Sequence, residues 1–222
     1  MHKLYGRRKG KKLRQRQDLL VAELLPRMTI DLSQGALALE RAFGRTASEL
    51  RLEVGFGDGA RLIEEATLHP DIDFIGCEPF INGVAKALAA IEDRGLSNVR
   101  IHAGDARDLL VALPPDSIDR VELLYPDPWP KRRHRKRRIV SDEFLTAVAH
   151  VLKAGAALRF ASDIDDYCGW TLARALRSRH FRWSAERPTD WLAPWEGWVA
   201  TRYEEKALRE GRASAYLTFL RN

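Results

Sequence analysis

Segments of strand character and helix character alternate along this chain from residue 50 to its end, and loops of a few residues join them. Strands are predicted at 50–55, 73–78, 98–103, 117–124, 155–161, 181–186 and 213–221. Helices are predicted at 18–30, ending at Pro26, and at 60–68, 80–94, 141–152, 165–179 and up to Arg209. Such short loops imply right-handed crossovers. The expected fold class is α/β: a doubly wound, mostly parallel, seven-stranded Rossmann-like sheet with helices on both faces.

The length of 222 residues suits one domain with an appendage better than two separate cores. We expect residues 1–17 to form a flexible basic arm and residues 18–222 a single domain. Apolar runs stay short of the ~18 residues that a membrane span needs, and the N-terminus lacks a signal peptide's apolar segment. Cys77 and Cys168 stand apart, without metal-ligand spacing. The expectation is a reduced, cytoplasmic protein with no metal and no membrane contact.

Positive charge is concentrated in two tracts of the sequence. Residues 1–17 carry eight lysines and arginines and no acid, and residues 131–138 carry seven more. Since the formal net charge of the chain is +6, removal of these 15 charges leaves −9 for the rest. An acidic body with two basic tracts indicates a polyanionic partner. The alternative is that the two tracts are only a solvated tail and a solvated loop without a partner. Because one tract lies beside Asp127, we favour a nucleic acid partner.

The second tract follows a proline-rich segment, Tyr125-Pro126-Asp127-Pro128-Trp129-Pro130. Proline fixes its own φ and restricts the residue before it, so these prolines predict a stiff, extended presentation of Asp127 and Trp129. A carboxylate and a large ring beside phosphate-binding cations suggest chemistry on a nucleobase. Trp129 is expected to stack on a base or to wall a pocket, and interior packing is an equal alternative.

Four consecutive predicted strands end at or just before a carboxylate: Glu53, Glu78, Asp105 and Asp127. In an open parallel sheet the carboxyl ends of the strands line one crevice, where the strand order reverses. We therefore expect these acids to converge in space. Acids near the start of a loop are also ordinary turn or cap residues, which is the alternative for Asp105.

The loop after the first strand reads Glu53-Val54-Gly55-Phe56-Gly57-Asp58-Gly59, and its glycines allow a tight turn and close approach to a ligand. Such a glycine triplet also occurs in dinucleotide sites. Glu53 before the glycines and Asp58 within the loop would repel a pyrophosphate, whereas S-adenosylmethionine carries a sulfonium, an ammonium and no phosphate. Glu78 lies where an acid commonly binds ribose hydroxyls, and Asp105 is placed to accept from an adenine amine.

Four motifs, in order, resemble those of the bacterial tRNA (guanine-N7-)-methyltransferases, which modify guanosine 46 in the variable loop. The motifs are 53–59, Pro126 to Lys131, Ser162-Asp163 and Thr201 to Ala207. The Asp-Pro-Trp-Pro-Lys segment is the most specific, since many methyltransferases share the glycine loop. The resemblance implies the class I methyltransferase fold, S-adenosyl-L-methionine as cofactor, and methylation of tRNA guanosine 46 at N7.

The resemblance also implies roles for particular residues, with tRNA as the partner of a monomer or homodimer. Asp127 is the implied catalytic residue. Cofactor binding is implied for Glu53, Gly55, Gly57, Glu78, Asp105 and Asp127. Substrate binding is implied for Lys131, Asp163, Thr201, Arg202, Tyr203 and Glu204. RNA binding is implied for Arg133, His134, Arg135, Lys136, Arg137 and Arg138.

Other interpretations stay open from the sequence. A methyltransferase with the same cofactor can act on another RNA, a protein or a small molecule, although the last two seldom need about fifteen cations. A non-catalytic RNA-binding subunit is the other alternative, but convergent acids would lower its affinity for RNA. Thr201-x-x-Glu204 also matches a capping box at the start of a helix. Four tryptophans are expected to pack in the core and loops: Trp183, Trp191, Trp195 and Trp198.

Overall fold

A single seven-stranded sheet forms the centre of the protein, whose computed structural model describes residues 4–31, 37–45 and 47–222. The strands are β1 Leu50–Val54, β2 Asp73–Cys77, β3 Val99–His102, β4 Ile118–Leu124, β5 Leu152–Ser162, β6 Phe181–Trp183 and β7 Ala215–Arg221. Their order is β3-β2-β1-β4-β5-β7-β6. Pairing is parallel from β3 to β5, and β7 runs antiparallel to β5 and β6. The predicted mostly parallel, seven-stranded sheet is confirmed.

Helices cover both faces of the sheet. They are α1 Gln15–Leu19, α2 Leu25–Met28, α3 Leu37–Phe43, α4 Ala60–Leu68, α5 Ile81–Arg94, α6 Ala106–Ala112, α7 Asp142–Val151, α8 Asp165–Arg177, α9 Thr189–Leu192 and α10 Arg202–Arg209. Helices α4 and α5 bury apolar side chains against one face, and α6, α7 and α8 pack on the other. Within the described ranges, no helix has the length and apolar character needed to cross a membrane.

Most predicted elements begin and end within a few residues of the observed ones, and α4 matches at both ends. Three short helices, α3, α6 and α9, were not predicted from the sequence, because a segment this short contains too few residues to show a helical periodicity. The strand predicted at 181–186 ends at Trp183 instead. It stops there because the amides of Glu186 and Arg187 turn away and donate to Asp190 Oδ2, both at 2.9 Å.

Pro26 does not end the first helix, so that prediction is wrong. Helix α1 continues through a π-helical stretch, Leu20–Leu24, into α2, where Pro26 occupies the first turn. Proline lacks an N–H and clashes with the carbonyl four residues earlier in a regular α-helix. The wider π turn, in which the N–H of Leu25 donates to Leu20 O, accommodates it. The helix therefore reaches Met28, which is buried.

The described part of the basic arm lies along α5. The N–H of Ile81 donates to Arg8 O at 3.1 Å, and the Asn82 side chain accepts from Gly10 N–H at 2.6 Å and donates to Lys11 O at 2.7 Å. Further along, Arg16 forms ion pairs with two acids at the end of α5, Glu92 and Asp93. Residues 1–3, with the cation Lys3, lie outside the described residues. Flexibility of the arm stays a prediction.

Candidate active site

A pocket of about 400 Å³ opens at the carboxyl ends of β1, β2, β3 and β4. Three acids from separate strand ends line it: Glu78, Asp105 and Asp127. Gly55 and Gly57 form part of the same wall. The fold brings them together because β1 lies between β2 and β4, the place where the strand order reverses. The pocket volume is typical of small-molecule sites, which span roughly 300–1,000 Å³.

The glycine loop after β1 has the left-handed backbone that its composition predicts. Gly55, Gly57 and Gly59 have φ values of 80°, 63° and 78°. Residues with a Cβ rarely adopt such positive values. The Glu78 carboxylate accepts from the N–H groups of Gly57 and Phe80, both at 2.8 Å. Burial raises the pKa of Glu78, these two hydrogen bonds oppose the shift, and the charge on Asp127 adds to it. One acid therefore shapes the loop and faces the pocket.

Gly83, in the first turn of α5, is expected to be intolerant of any side chain. A Cβ at this position would lie 2.0 Å from Gly57 O, which is backbone and cannot rotate away. Gly83→Ala should therefore displace the glycine loop and lower the free energy of unfolding by roughly 1–3 kcal/mol, as measured by urea denaturation. Gly169→Ala is the matched control, because nothing lies within 4 Å of its Cβ position in α8. Equal stability of the two variants would contradict the close packing of α5 on this loop.

Asp105 acts as the N-cap of α6, as its alternative interpretation predicted. Its Oδ1 accepts from the N–H of Arg107 at 3.0 Å, and its Oδ2 accepts from Arg107 Nη1 at 3.3 Å. An ionised carboxylate has about four lone-pair positions, so two remain for a ligand. Capping and ligand binding are therefore compatible at this residue, which also lines the pocket.

Glu53 does not line the pocket, and the structure brings together only three of the four acids. Its carboxylate lies on the α4 side of the sheet, where Oε2 accepts from Arg61 Nη1 at 3.1 Å. The same Arg61 nitrogen donates to Glu122 Oε2 at 2.7 Å. Side chains alternate between faces along a strand, so Glu53 points away from the face of its neighbour Val54. Cofactor binding by Glu53 stays a prediction.

Glu53 is expected to make stability depend on pH. Burial raises its pKa to about 7, Arg61 opposes the shift and the charge on Glu122 adds to it. Because the folded pKa exceeds the unfolded value of about 4.5, the folded state binds more protons between them and stability falls as pH rises. Glu53→Gln should remove that fall, so its stability relative to the wild type should rise by roughly 3 kcal/mol between pH 4.5 and pH 8.

Urea denaturation between pH 4.5 and pH 8 tests this expectation, with Glu64→Gln as the control. Glu64 pairs with Arg94 on the surface, where both side chains are about two-fifths exposed. Exposed pairs contribute little, so this substitution should shift stability equally at all pH values. If the difference in free energy of unfolding between Glu53→Gln and the wild type were the same at pH 4.5 and at pH 8, titration of Glu53 would be ruled out.

The proline-rich loop places Asp127 at the mouth of the pocket, exposed to solvent. Its backbone is less extended than predicted, because Tyr125 and Trp129 have φ values of 48° and 43°. Such conformations cost non-glycine residues roughly 1–3 kcal/mol each, so the surrounding contacts must hold them. Tyr125 is held by its N–H to Ala161 O at 2.8 Å and by its hydroxyl to Ser214 Oγ at 2.9 Å. Trp129 forms part of the pocket wall, one of its two predicted positions.

The basic tract forms a 3-10 helix, Arg132–Arg137, whose cations have different surroundings. Four are exposed: Lys131, Arg132, Arg133 and Lys136. Arg137 lies on the pocket wall, with its guanidinium 4.9 Å from the ring centre of Trp129. The ring of His134 meets the Trp129 ring edge-on, with centres 6.1 Å apart. The tract is thus divided between solvent and the pocket.

The prediction that Arg138 binds RNA is wrong. Its side chain has no exposed surface, so it cannot reach an RNA phosphate. Its Nε donates to Pro128 O at 2.8 Å, and its Nη2 pairs with Asp166. Arg135, partly exposed, also pairs with Asp166 at 2.6 Å. Charge counting alone does not separate a buried cation from its exposed neighbours.

The predicted substrate-binding stretch 201–204 reaches the pocket only through Arg202 and Tyr203. Thr201 caps α10, since its hydroxyl oxygen accepts from the N–H of Glu204 at 3.1 Å. The return bond of a capping box is replaced: the Glu204 carboxylate accepts from Trp198 Nε1 at 2.6 Å and from the Tyr216 hydroxyl. Thr201 and Glu204 therefore anchor the helix that presents the other two residues.

Arg202 also ties α10 to the glycine loop, because its Nη1 donates to Asp58 at 2.8 Å. The other two predicted substrate-binding residues lie outside the pocket lining. Lys131 is exposed at the start of the 3-10 helix, and Asp163 accepts from Arg212 Nε at 2.7 Å. Substrate binding by Lys131 and Asp163 stays a prediction.

Four pocket residues, 4–7, come from the basic arm and were not predicted from the sequence. Tyr5 and Arg7 both line the pocket, and a Cβ on Gly6 would lie 3.8 Å from Asp127 Oδ2. The Arg137 guanidinium lies 5.2 Å from the ring centre of Tyr5. A lone tyrosine in a cationic run was the only signal.

The tryptophan prediction is confirmed, since Trp183 packs on Trp191, and Trp195 on Trp198.

The strand order, the glycine loop after β1 and the acid-lined pocket together define a Rossmann-like methyltransferase. Solved structures share this fold at low identity. The 16S rRNA methyltransferase KamB is 19% identical, with a TM-score of 0.61 over 84% of this chain and 94% of that one. TrmN from Thermus thermophilus is also 19% identical, with a TM-score of 0.55 over 84% of this chain and 48% of that one. At these identities the likeness concerns the fold alone.

Sequence comparisons identify the family. A family model described as "Putative methyltransferase" matches residues 47–217. The tRNA (guanine-N(7)-)-methyltransferase of Rhodopseudomonas palustris (strain BisB18) is 57% identical over 218 residues, 98% of this chain and 87% of that protein. The protein of the same name from Bradyrhizobium diazoefficiens is 51% identical over 98% of this chain and 93% of its own length. The chain belongs to the tRNA (guanine-N7-)-methyltransferase family.

Proposed function

We propose that this protein transfers a methyl group from S-adenosylmethionine to N7 of guanosine 46 in the variable loop of tRNA. The observation that carries the proposal is the position of Asp127, at the mouth of an acid-lined pocket and directly before the basic 3-10 helix. One side of this carboxylate suits a cationic methyl donor, and the other suits a polyanion. The printed names of the relatives support a tRNA guanine as acceptor, and position 46 follows from the motif resemblance.

The pocket residues fit S-adenosylmethionine better than a dinucleotide. Glu78, Asp105 and Asp127 place carboxylates around the space, which attract a cation, although arginines line part of the wall. Glu78 already accepts from the N–H of Gly57 that a pyrophosphate would need. The loop surface is open at Gly55, where an added Cβ would meet nothing within 4 Å. Bound S-adenosylmethionine would supply an electrophilic methyl group on its sulfonium sulfur. Glu78 would hold the ribose hydroxyls, and Asp105 would accept from the adenine amine.

The residues at the mouth would orient the guanine base. Guanine N7 carries a lone pair and no proton, so its methylation requires no general base. Asp127 would accept hydrogen bonds from N1–H and the N2 amine and stabilise the positive charge that develops on the ring. Trp129 would form one wall for the base and restrict its orientation. A base that reaches this depth must leave its stack, which costs a few kcal/mol.

The exposed cations of the tract would bind the RNA backbone. Lys131, Arg132, Arg133 and Lys136 are exposed beside the pocket mouth, and phosphate contacts position a nucleic acid without reading its sequence. Selection of one guanosine would therefore depend on the shape of the tRNA and on the pocket itself. Arginines also lie on the pocket wall, Arg137 among them, so the division of charge between the pocket and the surface is partial.

Product mapping tests the proposal directly. An unmodified tRNA transcript is incubated with the protein and methyl-labelled S-adenosylmethionine, then digested and analysed by mass spectrometry. The expected product is 7-methylguanosine at position 46 alone. A transcript with 7-deazaguanosine at position 46 is the control, because it differs only in lacking the accepting nitrogen. Methyl transfer to this control, or to a different atom, would refute the proposed acceptor.

A further inference from the structure

Arg138, the last cation of the basic tract, is enclosed by protein. The centre of its guanidinium lies 4.7 Å from the ring centre of Tyr167 and 5.0 Å from that of Trp170. The ring of Trp170 is itself fixed, since its Nε1 donates to Val140 O at 2.9 Å. A planar guanidinium between two aromatic rings is held in one orientation, which directs its N–H donors.

All three nitrogens of this guanidinium donate to protein acceptors. Nε donates to Pro128 O at 2.8 Å, Nη1 donates to the carbonyl of Asp166 at 3.3 Å, and Nη2 donates to its carboxylate. Pro128 stands between Asp127 and Trp129, whereas Asp166 belongs to the first turn of α8. Arg138 therefore connects the pocket mouth to a helix of the main fold.

The proline-rich loop needs such a connection. Pro126, Pro128 and Pro130 have no N–H, so half of the residues from 125 to 130 cannot donate a backbone hydrogen bond. Two others, Tyr125 and Trp129, have positive φ, a conformation that persists only where neighbouring groups enforce it. The bond to the carbonyl of Pro128 acts on the centre of this loop.

We propose that Arg138 is a positioning residue: with Asp166 it fixes the loop 125–130 so that Asp127 and Trp129 face the pocket. The tract then has two functions: its exposed cations are available to bind RNA, and its last residue, Arg138, holds the loop. Arg135 shares the Asp166 carboxylate at 2.6 Å, so the loop and the 3-10 helix have a common anchor. The kinetic part of this inference rests on the proposed methyl transfer, and the structural part does not.

Two variants test the inference, and each has a matched control. Arg138→Lys keeps the charge but loses the planar fork, and its control is Arg174→Lys, since Arg174 stacks on the same Trp170 at 3.6 Å without touching the loop. Asp166→Asn removes the charge that pairs with Arg138 and Arg135 while keeping the side-chain size, and its control is the exposed neighbour, Asp165→Asn. The measurements are kcat and KM for tRNA, the salt dependence of tRNA binding, and amide hydrogen exchange.

We expect both test variants to lower kcat at least tenfold while KM for tRNA and the salt slope stay within twofold. Amide exchange should accelerate at the non-proline residues of 125–131, and in Asp166→Asn also in the 3-10 helix that Arg135 anchors, whereas the controls should match the wild type. Loss of tRNA affinity with unchanged kcat and loop exchange would overturn the inference, because Arg138 would then act on RNA. If Arg138→Lys unfolds, Asp166→Asn decides, and unchanged loop exchange there overturns it. Should the wild type lack activity, the proposed function fails and the exchange data still decide the positioning role.

Discussion

Asp127→Asn is expected to lower kcat for tRNA methylation by about 10²- to 10³-fold, the effect of removing one preorganised electrostatic group from an active site. The substitution keeps the size of the side chain but removes its charge. An amide would also present a donor to guanine N1–H, so the base would lose its orientation as well as the stabilisation of its developing charge. Steady-state kinetics with a single tRNA transcript measures the effect.

Cofactor binding should survive this substitution, because Glu78 and Asp105 remain in the pocket. Calorimetry with S-adenosylhomocysteine separates the two effects, since it reports binding without turnover. Asp108→Asn is the control: Asp108 is an exposed acid on α6, one turn from Asp105, and does not line the pocket. Full activity of Asp127→Asn would remove Asp127 from the mechanism.

Simultaneous replacement of Arg132, Arg133 and Lys136 by serine is expected to weaken tRNA binding about 100-fold at 0.1 M salt. These cations are exposed and lie beside the pocket mouth. If each contacts one phosphate, the slope of log affinity against log salt should fall by about 3. Arg138 is left in place, because its side chain is buried and its removal would disturb the loop that carries Asp127.

The matched control removes three exposed cations from another part of the surface: Arg177, Arg179 and Arg182. Arg177 ends α8, Arg179 follows it and Arg182 lies in β6, the outermost strand at the other side of the sheet from β3. Net charge changes equally in the two triple variants, so any difference reports location. If the 132–136 variant and the control had the same affinity for tRNA, the tract would not be an RNA contact.

The sheet and most of its helices were predictable because short-range patterns specify them. Helix α4 was predicted at both ends, and the predicted start of α7 at 141 agrees with Ser141, which caps the helix by accepting from the N–H of Phe144. The continuation of the first helix through Pro26 was not predictable from proline's usual effect. It depends on a π turn that places Leu20 and Met28 in the same apolar cluster as residues of α5 and β3, which is a tertiary interaction.

The candidate site was predictable as far as strand ends determine it. Glu78, Asp105 and Asp127 converge because three parallel strands end at one edge of the sheet. Glu53 differs because its side chain points to the face that carries Arg61, a pairing across eight residues that no spacing rule indicates. Tyr5 and Arg138 also required the structure, because their positions depend on contacts with residues distant in the sequence.

The most direct test of the central claim is a crystal structure of the protein with S-adenosylmethionine. The account predicts the donor in the pocket formed by the ends of β1 to β4, with its nucleoside between Glu78 and Asp105 and its methyl group on the side of Asp127. A second cavity, lined by Arg61, Arg120 and Arg159, shares no lining residue with this pocket and serves as a comparison. Electron density for the donor in that cavity, or anywhere remote from Asp127, would contradict the account.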